Sequence, residues 1–91
     1  MFEWDEAKRA ANLAKHSVDF ALVEEFEWET ALVEPDRRRD YGEARFRGLG
    51  LIGDRLHFIA YVRRGFVTRV ISLRKANEKE VEIYTRGRWP D

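Results

Sequence analysis

Three observations predict an α+β fold. Apolar residues recur at helical spacing at both ends of the chain, β-type segments fill the middle, and short glycine turns join those segments. The expected layout is two N-terminal helices, an antiparallel sheet of four or five strands, and one C-terminal helix. At 91 residues the chain reads as one domain, 1–91, burying only about 60% of its unfolded surface. A composition of 44% hydrophobic and 13% aromatic residues is that of a globular protein.

Phe2-Glu3-Trp4 is a short extended lead-in. Asp5 suits a helix N-cap, and Glu6 places an acid in the first turn, where the helix dipole favours it. Ala7, Ala10, Ala11 and Ala14 then recur at helical spacing and predict a thin, close-packing stripe, with a stop near His16-Ser17. Asp19 suits a second N-cap, and Val18 before it is placed to staple onto Val23. Phe20, Val23 and Phe26 form the inward stripe of that second helix, while Glu24, Glu25, Glu27 and Glu29 make its outer face acidic. Its end is open, because Phe26-Glu27-Trp28-Glu29 also alternates like a strand.

Strands are expected over 30–34, 43–52, 55–62 and 66–73, with a polar loop from Arg37 to Gly42. Gly48 and Gly50 interrupt the second of these and suggest a bulge or a close approach. Gly53-Asp54 and Arg64-Gly65 make turns too short for anything but antiparallel neighbours. The last strand is apolar on both faces, with Val67, Ile71 and Leu73 set against Phe66 and Val70, so it should be central. A final helix runs from Asn77 through Tyr84, and Arg86 to Pro90 form a tail that a partner or a surface groove could order.

Charge is neutral overall but unevenly spread. Residues 1–34 carry nine acids and three cations, whereas 35–73 carry nine arginines and four acids. A field comes from such clustering, and arginine matches phosphate oxygens better than lysine does. The chain has no cysteine, which excludes disulfides and thiolate zinc sites and fits a reducing cytoplasm. No secretory signal opens it, and no apolar run reaches the ~20 residues of a membrane helix. Glycine-rich phosphate loops, Ser/His/Asp patterns and zinc motifs are absent from the sequence.

The stretch from Arg69 to Glu80 carries the chemistry: a buried strand, a cationic exit at Arg74-Lys75, then a helix whose first turn holds Glu80. RNA can be cleaved with few parts, because the ribose 2′-hydroxyl attacks the adjacent phosphorus. The protein must accept a proton and stabilise the phosphoryl charge, and no metal is obligatory. Arg74 and Lys75 are the candidate cations, or they serve the sheet edge and the acidic first helices. Glu80 is the candidate carboxylate, but Asn77-x-x-Glu80 is equally a capping box. Arg45, Arg47, Arg64 and Arg69 extend the basic patch, or each is a solvated strand residue. His16 is a candidate acid/base at a helix end, with Lys15 beside it, whereas His57 lies mid-strand among apolar residues and reads as structural. Tyr84 and Trp4 could stack on RNA bases or complete the core, and Trp89 carries the same ambiguity.

At these residues the chain resembles a known family. Phe2-Glu3-Trp4-Asp5, Lys8, Asn12, Lys15-His16, Val18 and Phe20 are similar to the opening of BrnT-type toxins of type II toxin–antitoxin systems. Gly42-Glu43-x-Arg45-Phe46 with Gly48 matches in the middle, and Arg69 to Ala76 followed by Glu80 and Tyr84 at the end. The resemblance implies a RelE-like fold and a metal-independent endoribonuclease of the bacterial cytoplasm without a cofactor. It also implies an antitoxin partner of ribbon-helix-helix type, a hetero-oligomer with it, and contact with operator DNA only through it. By motif position the functional residues are Arg74, Lys75, Glu80 and Tyr84, followed by Lys15, His16 and Arg45. Two departures stand out: Ser17 replaces a common glycine and should alter the helix stop, and Glu78 and Glu82 add acid to the last helix. A non-catalytic module that only binds a DNA-binding partner is the alternative.

Overall fold

The computed structural model describes residues 1–90. In chain order the elements are β1 (Phe2–Glu3), α1 (Glu6–His16), a 3₁₀ segment (Phe20–Glu25), a 3₁₀ turn (Trp28–Thr30), β2 (Leu32–Pro35), β3 (Arg45–Ile52), β4 (Arg55–Arg64), β5 (Val67–Lys75) and α2 (Glu78–Arg86). The strands make one five-stranded sheet in the order β1-β5-β4-β3-β2. It is mixed and not wholly antiparallel, because β1 pairs parallel with β5, Phe2 against Thr68 and Glu3 against Arg69. Only neighbours joined by a hairpin are forced antiparallel. β1 reaches β5 from the other end of the chain, so its direction was free.

The second N-terminal helix is also corrected. Residues 20–25 wind as a 3₁₀ helix capped by Asp19, whose side chain accepts from the Ala21 N–H. Phe20, Val23 and Phe26 are all buried. Their spacing of three aligns them on one side of a helix with three residues per turn, whereas an α-helix would fan them out. Phe26 then turns extended and bridges Ile52. Glycine at position 50 makes room, since a Cβ there would run into the Phe26 ring.

Two cores flank the sheet. Val18, Phe20, Val23, Phe26, Ile59, Tyr61, Val70 and Leu73 form the first, under α1 and the 3₁₀ segment. Leu49, Leu56, Phe58 and Ala60 form the second, with Ile71, Ile83, Tyr84 and Trp89 packed on it. A bulge separates the two faces differently from the simple alternation. Val70 pairs with Tyr61 and Ser72 with Ala60, so Ile71 is the extra residue. Val70 and Leu73 therefore share a core, Ile71 goes to the other, and Arg74 sits opposite Phe58 on the α2 side. Had β5 alternated without the bulge, Arg74 would share the face of Val70 and turn towards the first core.

α1 departs furthest from expectation. Ala7, Ala10, Ala11 and Ala14 all face solvent, and the inward row is Arg9, Asn12 and His16. The reason is what the helix covers. β1 ends at Glu3, leaving the outer edge of β5 unpaired beyond Arg69. α1 lies along that edge, and a strand edge asks for hydrogen-bond partners rather than methyl groups. Asn12 supplies them as a surrogate strand: Nδ2 donates to the Leu73 carbonyl (2.6 Å) and the Val18 carbonyl (3.0 Å), and Oδ1 accepts from the Leu73 N–H (3.3 Å). Arg9 forks onto Asp19 at 2.7 and 2.8 Å, tying α1 to the 3₁₀ cap. The helix stops where expected. Ser17 itself takes the left-handed conformation (φ 60°), its N–H donating to the Leu13 carbonyl, so the stop keeps the geometry a glycine would give.

Candidate active site

Arg74 is positioned by the bulge from below and by α2 from above. Its guanidinium lies 4.3 Å from the centre of the Phe58 ring and forks onto Glu80, Nη1–Oε1 2.8 Å and Nη2–Oε2 2.9 Å. Glu80 is buried, 8% exposed, and completes both halves of the capping box: its Oε1 accepts from the Asn77 N–H at 3.0 Å and its N–H donates to Asn77 Oδ1 at 2.8 Å. Burial alone would raise its pKa, but the bonds from Arg74 and Asn77 and the charges of Arg74 and Arg38 hold the carboxyl below its ordinary range. Both oxygens are thus engaged by the fold. The capping and cation-facing readings of Glu80 coexist in one side chain.

Open ground lies on the α1 side of β5. A cleft of about 260 Å³ runs between α1 and the bulge of β5, lined by Lys8, Asn12, Lys15, His16, Ile71 and Ser72. Lys8, Asn12 and Lys15 share one side of α1 through i, i+4 and i+7 spacing. His16 is half-buried. Desolvation, then the charges of Lys15 and Arg74, lower its pKa below the ordinary 6.5, so the ring is mainly neutral near pH 7. Arg74 does not line the groove, and its charge is felt at His16 as the smallest of these influences. A neutral imidazole, two lysines and an oriented guanidinium can accept a proton and stabilise a phosphoryl anion.

The other expected residues scatter. Lys75 follows Arg74 and so points to the opposite face, beside His57, while remaining exposed. His57 is buried, with Nδ1 2.9 Å from the Arg55 carbonyl oxygen. Desolvation lowers its pKa, so it is a core residue, as read from the sequence. Arg69 pairs with Glu3 at 2.9 Å and Arg64 with Glu43 at 3.1 Å. Arg45 stacks over Tyr41 at 4.1 Å, and Arg47 pairs with Glu34 while lying over Trp89 at 4.1 Å. Trp4 packs edge-on to Phe20 and donates to Glu6, on the first-core side. Tyr84 packs in the second core and donates to the Thr30 carbonyl at 3.3 Å. The tail is ordered by the protein itself, through Trp89 Nε1 donating to the Leu32 carbonyl at 3.1 Å. Lys8, Asn12 and Arg38 were missed as site residues. Helical spacing from Lys15 and His16 would have found the first two. Among the described residues no three His, Asp or Glu side chains gather as a metal-ligand set.

These features define a small α+β protein with a cationic groove along the edge of β5 that no strand covers. Its family can be stated as well. The description "Ribonuclease toxin, BrnT, of type II toxin–antitoxin system" matches residues 4–80, and the chain belongs to that family. RNA is accordingly its substrate class and an antitoxin its partner class. Comparison with curated protein sequences finds no match. No described helix is long and apolar enough to cross a membrane.

Proposed function

We propose that RNA is cleaved in the groove between α1 and the free edge of β5, by attack of a ribose 2′-hydroxyl on the adjacent phosphorus. His16 accepts the hydroxyl proton as a neutral base. Arg74 and Lys15 stabilise the charge that grows on the phosphoryl oxygens. The bond to the 5′-oxygen breaks, giving a 2′,3′-cyclic phosphate, and protonation of the departing oxygen gives a free 5′-hydroxyl. Glu80 is a positioning residue that holds the guanidinium of Arg74 in plane, while Lys75, Arg64 and Arg69 contribute to the field that attracts the polymer. No metal is required for these steps. The observation that supports the reading is that Lys15 and His16 line an open groove within reach of the charge of Arg74, which Glu80 holds.

A RelE-like scaffold, a cytoplasmic setting and a ribbon-helix-helix antitoxin that blocks the groove and alone contacts operator DNA complete the proposal. The test is purified, antitoxin-free protein with unstructured RNA, with and without EDTA. Cleavage should persist in chelator and end in cyclic phosphate, and it should fall by about 10²–10³ in Arg74→Ala, as when a key electrostatic group is removed from an active site. Loss of all cleavage in EDTA, or equal cleavage by wild type, Arg74→Ala and His16→Gln, would overturn it.

A further inference from the structure

The loop between β2 and β3 holds a second concentration of arginine that the groove does not use. A single buried carboxylate organises it. Asp36 is 4% exposed and receives Arg38 Nε at 2.8 Å, Arg38 Nη2 at 2.7 Å and the Tyr41 hydroxyl at 3.2 Å. Those bonds, led by Arg38, hold its carboxyl well below the usual range, so the hub stays charged and the loop stays tied. The remaining acids are also engaged: Asp40 accepts from the Gly42 N–H at 2.9 Å and Glu43 pairs with Arg64. Arg37 and Arg39 are exposed and, among the described residues, form no ion pair. Arg45 lies 4.1 Å and Arg39 5.9 Å from the Tyr41 ring centre, and Arg45 Nε is buried without a hydrogen-bond partner. An open cleft of about 580 Å³ runs along these residues. It falls in the size range of small-ligand pockets and so is large enough for a nucleotide.

We propose that this loop is a second RNA-binding site, taking a single-stranded segment beyond the cleaved bond, with Arg37 and Arg39 on its phosphates and Tyr41 stacked on a base. Arginine forks beside a stacking aromatic are the means by which single strands are held without sequence readout. Arg38, tied into this loop, also adds its charge to those that keep Glu80 ionised, and Glu80 holds Arg74, so the field of the loop reaches that pair. An acidic protein segment would also be drawn to the arginines, but it would not use the half-buried ring of Tyr41. This inference rests on the cleavage reading only for the direction of the RNA track.

The test is fluorescence anisotropy with fluorescein-labelled 2′-O-methyl RNA, which lacks the attacking hydroxyl, at lengths of about four and about twelve nucleotides, within the span of known single-strand sites. For the longer RNA, the exposed double substitution Arg37→Ala/Arg39→Ala should weaken binding about tenfold and lower the salt slope by about 1.4, the value for two single-strand phosphate contacts. Tyr41→Ala should cost about tenfold, as loss of one stacked base does, while Tyr41→Phe retains binding because the ring remains. Unchanged affinity and slope in the double variant, or an equal loss for both RNA lengths, would overturn the second site. So would weakened antitoxin binding with RNA binding intact, which would assign the loop to the protein partner. A wild type that binds the longer RNA but cuts no unmodified RNA would sink the cleavage reading alone.

Discussion

The two sides of the last turn of β5 hold charge in opposite ways. On the α2 side, Arg74 and Glu80 satisfy each other almost completely, under a ring and inside a capping box. On the α1 side, Lys8, Lys15 and His16 line an open cleft, and among the described residues no hydrogen bond engages the imidazole. A satisfied ion pair gives geometry, and an unsatisfied group gives reactivity. The contrast supports the proposed division, position for Glu80 and proton transfer for His16, although the sequence alone favoured neither.

The sharpest way to break this contrast is to remove the proton acceptor. His16→Gln should lower the cleavage rate by about 10²–10⁴, the usual worth of a general base. It should also erase the acid limb of the pH–rate profile. In the wild type that limb should have its midpoint below 6.5, because His16 is depressed and the base form is lost only as pH falls through its lowered pKa. A limb that survives in His16→Gln would move the base elsewhere. Asn12→Ala should destabilise the fold by about 2–3 kcal/mol, since it strands the buried backbone groups of Leu73 and Val18. Chemical denaturation would measure this. An unchanged midpoint would mean that water replaces the amide.

Glu80→Gln sharpens the comparison from the other side. It keeps the shape but loses the ionic fork, so the expected costs are about 1 kcal/mol of stability and about tenfold in rate. A loss as large as that for His16→Gln would restore Glu80 as the base. Acid stability should follow the same logic. Asp19, held at about 2 by Arg9, and Glu80, held below its ordinary 4.5, are depressed carboxyls. Their stabilisation is complete above the unfolded values and is lost as pH falls below about 4, readable as a falling thermal midpoint. The smallest effect belongs to Arg64→Ala. Its pair with Glu43 is exposed, so stability should change by less than about 0.5 kcal/mol, and RNA affinity only through the screened field.

Particular residues show where sequence was enough. Asp5 and Asp19 cap their helices because an aspartate oxygen reaches the N–H groups of its own next residues. Gly53 and Gly65 turn the hairpins with φ near 60°, and the pairs they join are fixed by the turn itself. The capping box at Asn77 and Glu80 was equally legible. The α1 alanines misled because helical periodicity names a face without saying what covers it, and here a strand edge selected Arg9, Asn12 and His16 instead. Simple alternation along β5 failed for a related reason, since the bulge at Ile71 inserts one residue and reverses every later side chain.

Local chemistry alone therefore determined the caps, the turns, the strand segments and the presence of a cationic exit at Arg74-Lys75, for each depends on contacts within a few residues. Tertiary structure decided which of those two cations faces Glu80, that β1 runs parallel to β5, and that His16 rather than the buried carboxylate borders open space. Each of those outcomes depends on pairing between residues far apart in the chain, which sequence spacing does not encode.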